Sequence, residues 1–393
     1  MRFPKIFSLA KSGSKTIAVC DIGSGSVAVA IVEVPSDTES RTRILISERR
    51  ALTQEDRAAA QAIDQLKTLA QETAAAVLDQ HVKKSGTPPS EVIAVVHAPW
   101  VRSETTSIVQ RFGQPMLITE KIISEAAKQA VREDTKLNAA NIFERSVMRI
   151  AISGYPTAKP EGKTGERIEI AVLQSDIQPD ILAGMTDALG AVFVGRTITF
   201  HSAFFALSII IREFLPNISH YTLVDVTSLA TSAAVVRQGA VLEHAESPIG
   251  WRAIVTALAK ITGTAPAEAL SRARMAADDS CTDAVCQSVA QSLATVEPQF
   301  VSAYGKMLND LAKTKRIPGL LILLAPPDLG SWFANILSRI DFAQFAVSER
   351  PFTTQQLFSS VLARYIDSAP EAAEDAGVAI GAGFVHMRMR DGK

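Results

Sequence analysis

The feature that most constrains the fold is a repeated unit made of a strand, an aspartate, a turn of small residues and a second strand. Its first copy is TIAVCDIGSGSVAVAIVEV, residues 16–34, in which Asp21 closes an apolar run. Its second copy is HYTLVDVTSLATSAAVVRQGAV, residues 220–241, with Asp225 in the same position. Apolar runs rich in β-branched residues predict strands. Two such units far apart in one chain indicate duplicated halves that face a common cleft.

The first turn also matches the looser form of the dinucleotide-binding fingerprint, because GSGSVA reads as G-x-G-x-x-A. That fingerprint requires a helix to begin at the turn, since the helix N-terminus holds the pyrophosphate. Here Val27, Val29 and Ile31 follow instead, and they predict a strand. The turn is therefore predicted to join two strands of a hairpin.

Length and composition limit the remaining possibilities. The chain has 393 residues, which predicts two or three subdomains. A formal net charge of -1 gives no indication of nucleic-acid binding. Its three cysteines favour free thiols in a reducing compartment, and its six histidines are scattered singly, without the spacing of a metal site. No apolar run is long enough to span a bilayer, and residues 1–14 are expected to be a disordered leader.

Hairpins of this kind can hold a nucleotide. Backbone N–H groups in the two turns would bind phosphates, and the two aspartates would hold a metal ion or its waters. The sequence therefore predicts ATP with Mg²⁺ as a candidate ligand, with Asp21 and Asp225 as the metal-holding residues. The candidate cofactor-binding residues are Asp21, Gly23, Ser24, Gly25, Ser26, Asp225, Thr227 and Ser228.

The two hairpins resemble the phosphate loops of the actin/sugar-kinase/heat-shock-chaperone superfamily. The order of the other segments resembles its FtsA/PilM branch. The resemblance implies an α/β, two-lobed actin-like ATPase (ribonuclease H-like) fold with an inserted SHS2 subdomain of α+β structure. It places lobe 1 in residues 15–90, 191–218 and 375–390, the SHS2 insertion in residues 91–190, and lobe 2 in residues 219–374.

The chain departs from that family at three other loops. The second phosphate loop, normally D-I-G-G-G-T-T-D, is DVTSLATS here, so Thr227, Ser228 and Leu229 replace its glycines. The glycine-rich adenosine loop is replaced by APPDLG, and Trp251 stands where a glycine is expected. Glycine lets the backbone approach a phosphate closely, and proline removes a backbone donor. Weak or absent nucleotide turnover is therefore expected, so the chain is expected not to be an enzyme.

The resemblance implies a cytoplasmic adaptor at the inner membrane, in cell division or in type IV pilus assembly. The partner would be a tubulin-like division protein, or the short cytoplasmic tail of a pilus membrane protein bound at the SHS2 region. Membrane association would be peripheral, through that partner, and head-to-tail self-assembly is expected from the family. The chain ends about a dozen residues after the final glycine-rich segment, which is more similar to PilM. Two alternatives stay open: an active actin-like ATPase or kinase, and a scaffold that binds no nucleotide.

Overall fold

A computed structural model describes residues 14–37, 40–52, 59–133, 135–277, 284–313, 316–339, 352–357, 362–373 and 375–390. The predicted leader therefore lies outside the described residues, apart from Ser14. Within these ranges, no helix is both long enough and apolar enough to cross a membrane.

The strands and helices alternate along the chain. In chain order the strands are β1 (Lys15–Ile22), β2 (Ser26–Val34), β3 (Thr42–Ala51), β4 (Glu91–Val96), β5 (Val101–Leu117), β6 (Ile142–Ile152), β7 (Tyr155–Pro156), β8 (Thr164–Ile177), β9 (Thr197–Ser202), β10 (His220–Val226), β11 (Thr231–Arg237), β12 (Ala240–Ser247), β13 (Leu320–Leu324), β14 (Thr353–Gln356) and β15 (Ile366–Ser368). The helices are α1 (Ala59–Ser85), α2 (Glu120–Val131), α3 (Pro179–Val192), α4 (Ala203–Phe214), α5 (Trp251–Thr262), α6 (Pro266–Ala277), α7 (Ala284–Ala312), α8 (Pro327–Arg339) and α9 (Ala376–Arg390).

The two predicted hairpins form the centres of two sheets with the same topology. Lobe 1 has the strand order β15-β3-β2-β1-β4-β9, and lobe 2 has the order β12-β11-β10-β13-β14. In each sheet the hairpin is antiparallel and its first strand pairs in parallel with the next long crossover strand, β4 or β13. Residues 23–26 and residues 227–230 each lie between the last paired positions of their hairpins. The duplication inferred from the sequence is therefore a structural repeat.

The apolar core is continuous between the lobes. One buried cluster joins Ile17 of β1 and Phe384 of α9 to Tyr221 of β10 and Val236 of β11. A second cluster lies under α5 to α8 in lobe 2, and a third lies between the lobe 1 sheet and the helices α1 and α3. Burying apolar surface is the main favourable term in folding, so this shared core fixes the lobes against each other at their base.

The inserted subdomain is smaller than the sequence predicted. Its four-stranded sheet has the order β5-β8-β6-β7, with α2 packed on one face through Ile118, Ala126 and Ile170. β4 pairs with β1 and β9, and α3 packs in the lobe 1 core, so both belong to lobe 1. By strand pairing the insertion runs from β5 to β8, whereas the prediction placed it in residues 91–190. β15 also lies in the lobe 1 sheet rather than in lobe 2.

A buried carboxylate fixes the insertion to lobe 1. Glu144 of β6 accepts a hydrogen bond from the Ser202 hydroxyl at 2.6 Å, and the ring Nδ1 of His201 lies 2.7 Å from its other oxygen. Ser175 of β8 donates to the same carboxylate at 3.1 Å. On the far side of the His201 ring, Arg388 of α9 lies 3.0 Å from Nε2. Because buried polar groups must be paired, these contacts hold the insertion against lobe 1.

One expectation about the cysteines is wrong. Cys286 of α7 is disulfide-bonded rather than a free thiol. Cys20 of β1 is a free, buried cysteine, and Cys281 lies outside the described residues.

Candidate functional site

The carboxyl ends of the two central strands converge between the lobes. Asp21 is the penultimate residue of β1, and Asp225 is the penultimate residue of β10. β4 runs parallel to β1 with Ile22 opposite Val96, so the next residue, His97, emerges beside Asp21. Parallel strands bring their carboxyl ends to one edge of a sheet, which is where ligands of open α/β folds bind. This edge is therefore the candidate functional site.

The ring of His97 joins the two aspartates. Its Nε2 lies 2.7 Å from Oδ1 of Asp21, and its Nδ1 lies 2.7 Å from Oδ2 of Asp225. All three residues are buried, with 5%, 5% and 3% of the surface of Asp21, His97 and Asp225 exposed. A neutral imidazole has one N–H, whereas the imidazolium donates from both nitrogens. Two carboxylates on opposite sides of one ring therefore favour the charged form of His97.

The electrostatics agree with that geometry. Burial by itself would lower the pKa of His97, but the charges of Asp225 and Asp21 outweigh burial and raise that pKa to about 10. Burial would likewise raise the pKa of Asp21, but His97 and Arg49 outweigh it and hold that pKa well below its usual range. At neutral pH the centre of the cleft is consequently a carboxylate, an imidazolium and a second carboxylate.

A second cation extends this row of charges toward the solvent. Arg49 of β3 donates from Nη2 to Oδ2 of Asp21 at 2.7 Å and from Nη1 to the Ser26 hydroxyl at 2.7 Å. It also binds Asp375 through two hydrogen bonds, of 2.5 and 2.8 Å. Asp375 in turn accepts from the Val378 N–H and caps the start of α9. The cluster thus contains three carboxylates and two cations, and each cation is already paired.

The start of α9 lies directly against this cluster. A Cβ atom on Gly377 would lie 2.4 Å from Oδ2 of Asp21 and 2.8 Å from Nη2 of Arg49. No side chain can occupy that space without moving the ion pair. The final glycine-rich segment therefore contains glycine at this position because the helix backbone closes over Asp21.

The two hairpin turns contact each other instead of standing apart. The Ser24 hydroxyl lies 2.9 Å from Oγ1 of Thr227 and accepts from the Leu229 N–H at 2.9 Å. Oγ1 of Thr227 also lies 3.1 Å from the carbonyl oxygen of Ala98. The Leu229 N–H of the second turn is therefore bonded to the first turn and does not point to a phosphate.

Packing between the turns is equally close. A Cβ atom on Gly25 would lie 2.4 Å from Cβ of Ser228, so glycine at this position permits the contact between turns. Leu229 crosses from lobe 2 and packs against the apolar cluster of lobe 1 that contains Ile22 and Val27. The Gly23 N–H, predicted to bind phosphate, donates to the carbonyl oxygen of Ser26 within the turn.

The other two altered loops also make internal contacts. The first N–H groups of α5, from Trp251 and Arg252, donate to the carbonyl oxygens of Thr227 and Ser228. A helix N-terminus is a general anion-binding position, but these two donors are taken up by the second turn. After β13, Pro327 begins α8, and the Leu329 N–H bonds to the carbonyl of Pro326.

A Mg²⁺–nucleotide complex does not fit this arrangement. Mg²⁺ prefers octahedral coordination by oxygen at about 2.0–2.1 Å, usually with several waters retained. The facing oxygens of Asp21 and Asp225 are instead bonded to a cationic ring that cannot act as a ligand. Among the described residues, no group of three or more His, Cys, Asp or Glu side chains has the geometry of a metal site.

The structure brings the predicted site residues together but adds three that the sequence reasoning missed. Both aspartates and both turns lie at one place, as the duplication implied. His97 was grouped with the scattered histidines, and neither Arg49 nor Asp375 was singled out. One signal was present: His97 directly follows the strand VIAVV, so a parallel pairing with β1 would have placed it beside Asp21.

No protein-family model matches the chain, and no curated protein matches it. Among solved structures, a chain of one titled "PilM-PilN type IV pilus biogenesis complex" has 13% identity and a TM-score of 0.58. The match covers 95% of this chain and 98% of that chain. Ethanolamine utilization protein EutJ from Carboxydothermus hydrogenoformans matches with 10% identity and a TM-score of 0.44, over 96% and 93% of the two chains. Component A of (R)-2-hydroxyglutaryl-CoA dehydratase from Acidaminococcus fermentans matches with 10% identity and a TM-score of 0.38, over 97% and 100%.

The match to the chain from the pilus complex shows a shared fold along almost the whole of both chains. The predicted α/β, two-lobed actin-like fold is thereby confirmed.

Proposed function

We propose that this protein is a PilM-like adaptor of type IV pilus assembly that holds a pilus membrane protein at the cytoplasmic face of the inner membrane. The observation that carries the proposal is the structural match to a chain of the PilM–PilN complex. That match covers 95% of this chain, so it extends over the inserted subdomain as well as the two lobes. It supports the pilus partner over the tubulin-like division protein.

The inserted subdomain, in the role of an SHS2 domain, is the proposed docking surface for the partner's tail. Among the described residues its strand β5 is an edge strand that pairs with β8 alone. The outer part of β5 carries exposed apolar side chains at Val109, Met116 and Leu117, with 50%, 41% and 55% of their surface exposed. An exposed edge accepts an extended peptide as an added strand, with side-chain contacts giving specificity.

The cleft between the lobes serves structure rather than catalysis in this proposal. Contacts between the two turns and the bridge through His97 support the scaffold alternative over an active ATPase or kinase. ATP with Mg²⁺ is therefore expected to bind weakly or not at all. Head-to-tail self-assembly stays a prediction, which light scattering at increasing protein concentration measures.

Calorimetry with a peptide tests the adaptor role. The probe is a synthetic peptide of the cytoplasmic tail of a type IV pilus membrane protein from the same organism, and we expect a Kd in the micromolar range, about -8 kcal/mol. Val109→Lys and Leu117→Lys should each weaken binding about tenfold or more, as charges placed in an apolar contact do. Ile261→Lys is the matched control, because Ile261 is 50% exposed but lies on α5 in lobe 2.

No binding by the wild-type chain would contradict the proposed function. If Val109→Lys and Leu117→Lys bind the peptide as tightly as the Ile261→Lys control does, the adaptor role stands but the proposed docking surface is overturned.

A further inference from the structure

The two hairpins predict a nucleotide in the cleft, but the residues there do not fit a Mg²⁺–nucleotide complex. We propose that the chain closes its own cleft: the His97 ring stands between Asp21 and Asp225 in place of a metal ion, and the second turn fills the phosphate space. The lobes are then held closed without any nucleotide. This inference deepens the cleft assignment of the proposed function, but it does not depend on the identity of the partner.

The His97 ring takes the position of a cation between two carboxylates. Two buried carboxylates that face one another strongly oppose joint ionisation unless a cation lies between them. In a nucleotide-binding cleft a metal ion would supply that charge. Here His97 supplies it, with a 2.7 Å contact to each carboxylate. Arg49 neutralises the outer oxygen of Asp21, so the first aspartate is paired on both sides.

The contacts in the cleft join one lobe to the other. Asp21 and His97 belong to the lobe 1 sheet, whereas Asp225 belongs to the lobe 2 sheet. The contact of His97 with Asp225 is therefore a bond between lobes. The hydrogen bonds of Ser24 with Thr227 and with the Leu229 N–H also cross from one lobe to the other.

The contacts between the two turns exclude a phosphate from the cleft. Leu229 of the second turn packs on the lobe 1 core, its N–H donates to the Ser24 hydroxyl of the first turn, and Gly25 lies against Ser228. A phosphate could enter only after these apolar and polar contacts had separated. Opening would also break the 2.7 Å contact between His97 and Asp225. Nucleotide binding would have to overcome both costs.

The experiment measures the distance between the lobes in the full-length protein. Spin labels are placed at Gln80→Cys on α1 and Lys260→Cys on α5, two exposed positions in different lobes, and unmutated protein exposed to the label gives the background from its own cysteines. Pulsed electron resonance then gives the distance distribution with and without MgATP at about 1 mM, where a ligand of about -4 kcal/mol is half bound. We expect a single narrow distribution that MgATP does not change.

A charge-removing variant completes the test. His97→Gln keeps a polar side chain between the aspartates but removes the positive charge, and we expect its distribution to broaden toward longer distances. His244→Gln is the matched control, since it changes another histidine within lobe 2, and its distribution should equal that of the wild type. Calorimetry on the wild type should show a Kd for MgATP weaker than about 1 mM.

Two results would overturn the inference. One is a wild-type distribution that shortens or narrows when MgATP is added, because closure would then require the nucleotide. The other is a His97→Gln distribution identical to that of the wild type. If His97→Gln does not fold, the wild-type measurement still decides between the two modes of closure. Failure of the tail peptide to bind would not affect either result, so the two proposals fail separately.

Discussion

Replacing His97 with glutamine should cost the protein a large part of its stability at neutral pH. The change removes the positive charge between Asp21 and Asp225 but keeps a side chain that can donate one hydrogen bond. Asp225 is then a buried carboxylate without its 2.7 Å cationic partner. A buried charged group that has lost its partner is left uncompensated, and this costs free energy.

The magnitude follows from two independent estimates. Removing one partner of a buried ion pair costs about 3–5 kcal/mol. The pKa of His97 rises from 6.5 to about 10 on folding, and such a rise corresponds to roughly 5 kcal/mol of preference for the charged ring. Because both estimates describe the same interaction, they are not added. We expect His97→Gln to lower the free energy of unfolding by about 3–5 kcal/mol at pH 7.

Urea unfolding monitored by tryptophan fluorescence measures this loss. Trp100 is a suitable reporter, because its indole N–H donates to the carbonyl oxygen of Gly23 in the first turn. The matched control is His244→Gln, in which burial and Arg102 already lower the histidine pKa to about 4, so the ring is neutral at pH 7. A loss for His97→Gln no larger than that for His244→Gln would refute the reasoning, since it would show that the charge of His97 does not stabilise the closed cleft.

Three further outcomes are expected. Because the pKa of His97 is raised in the folded protein, its contribution to stability is complete below about pH 6.5 and is lost as the pH approaches 10. The free energy of unfolding of the wild type should therefore fall by about 1.4 kcal/mol per pH unit between these values, and the same slope in His97→Gln would contradict this. The pKa of Asp21 is shifted downward, so its contribution to stability is present above about pH 4 and is lost on acidification. An acid titration in which Asp21→Asn loses as much stability as the wild type would count against this contribution. Gly377→Ala should destabilise the protein by about 1–3 kcal/mol, because its Cβ would lie 2.4 Å from the Asp21 carboxylate. Gly305→Ala, whose Cβ would meet nothing within 4 Å, is the control, and equal melting temperatures for the two variants would exclude the clash.

Much of the site could be predicted because it is local in sequence. An apolar run, an aspartate and a short turn of small residues predict a hairpin whose aspartate lies next to the turn, and both copies have that structure. The loss of glycine in the second turn also predicted a poor phosphate site. What could not be predicted was the occupant of the cleft. His97 reaches Asp21 across 76 residues and Asp225 across 128 residues, through pairings that no local pattern encodes.

The sheet to which each strand belongs also depends on pairings between residues far apart in sequence. The turn before β4 marks the end of α1, but it does not reveal that β4 will pair with β1 rather than join the insertion. The order of residues along the chain is enough to specify the two hairpins, the positions of the two aspartates and the loss of glycines from the second turn, because each feature depends only on residues close in sequence. Tertiary structure alone decided that an imidazolium and a guanidinium lie between the carboxylates. Those contacts form only when the carboxyl ends of strands from both lobes meet, and burial then makes each charge depend on the other.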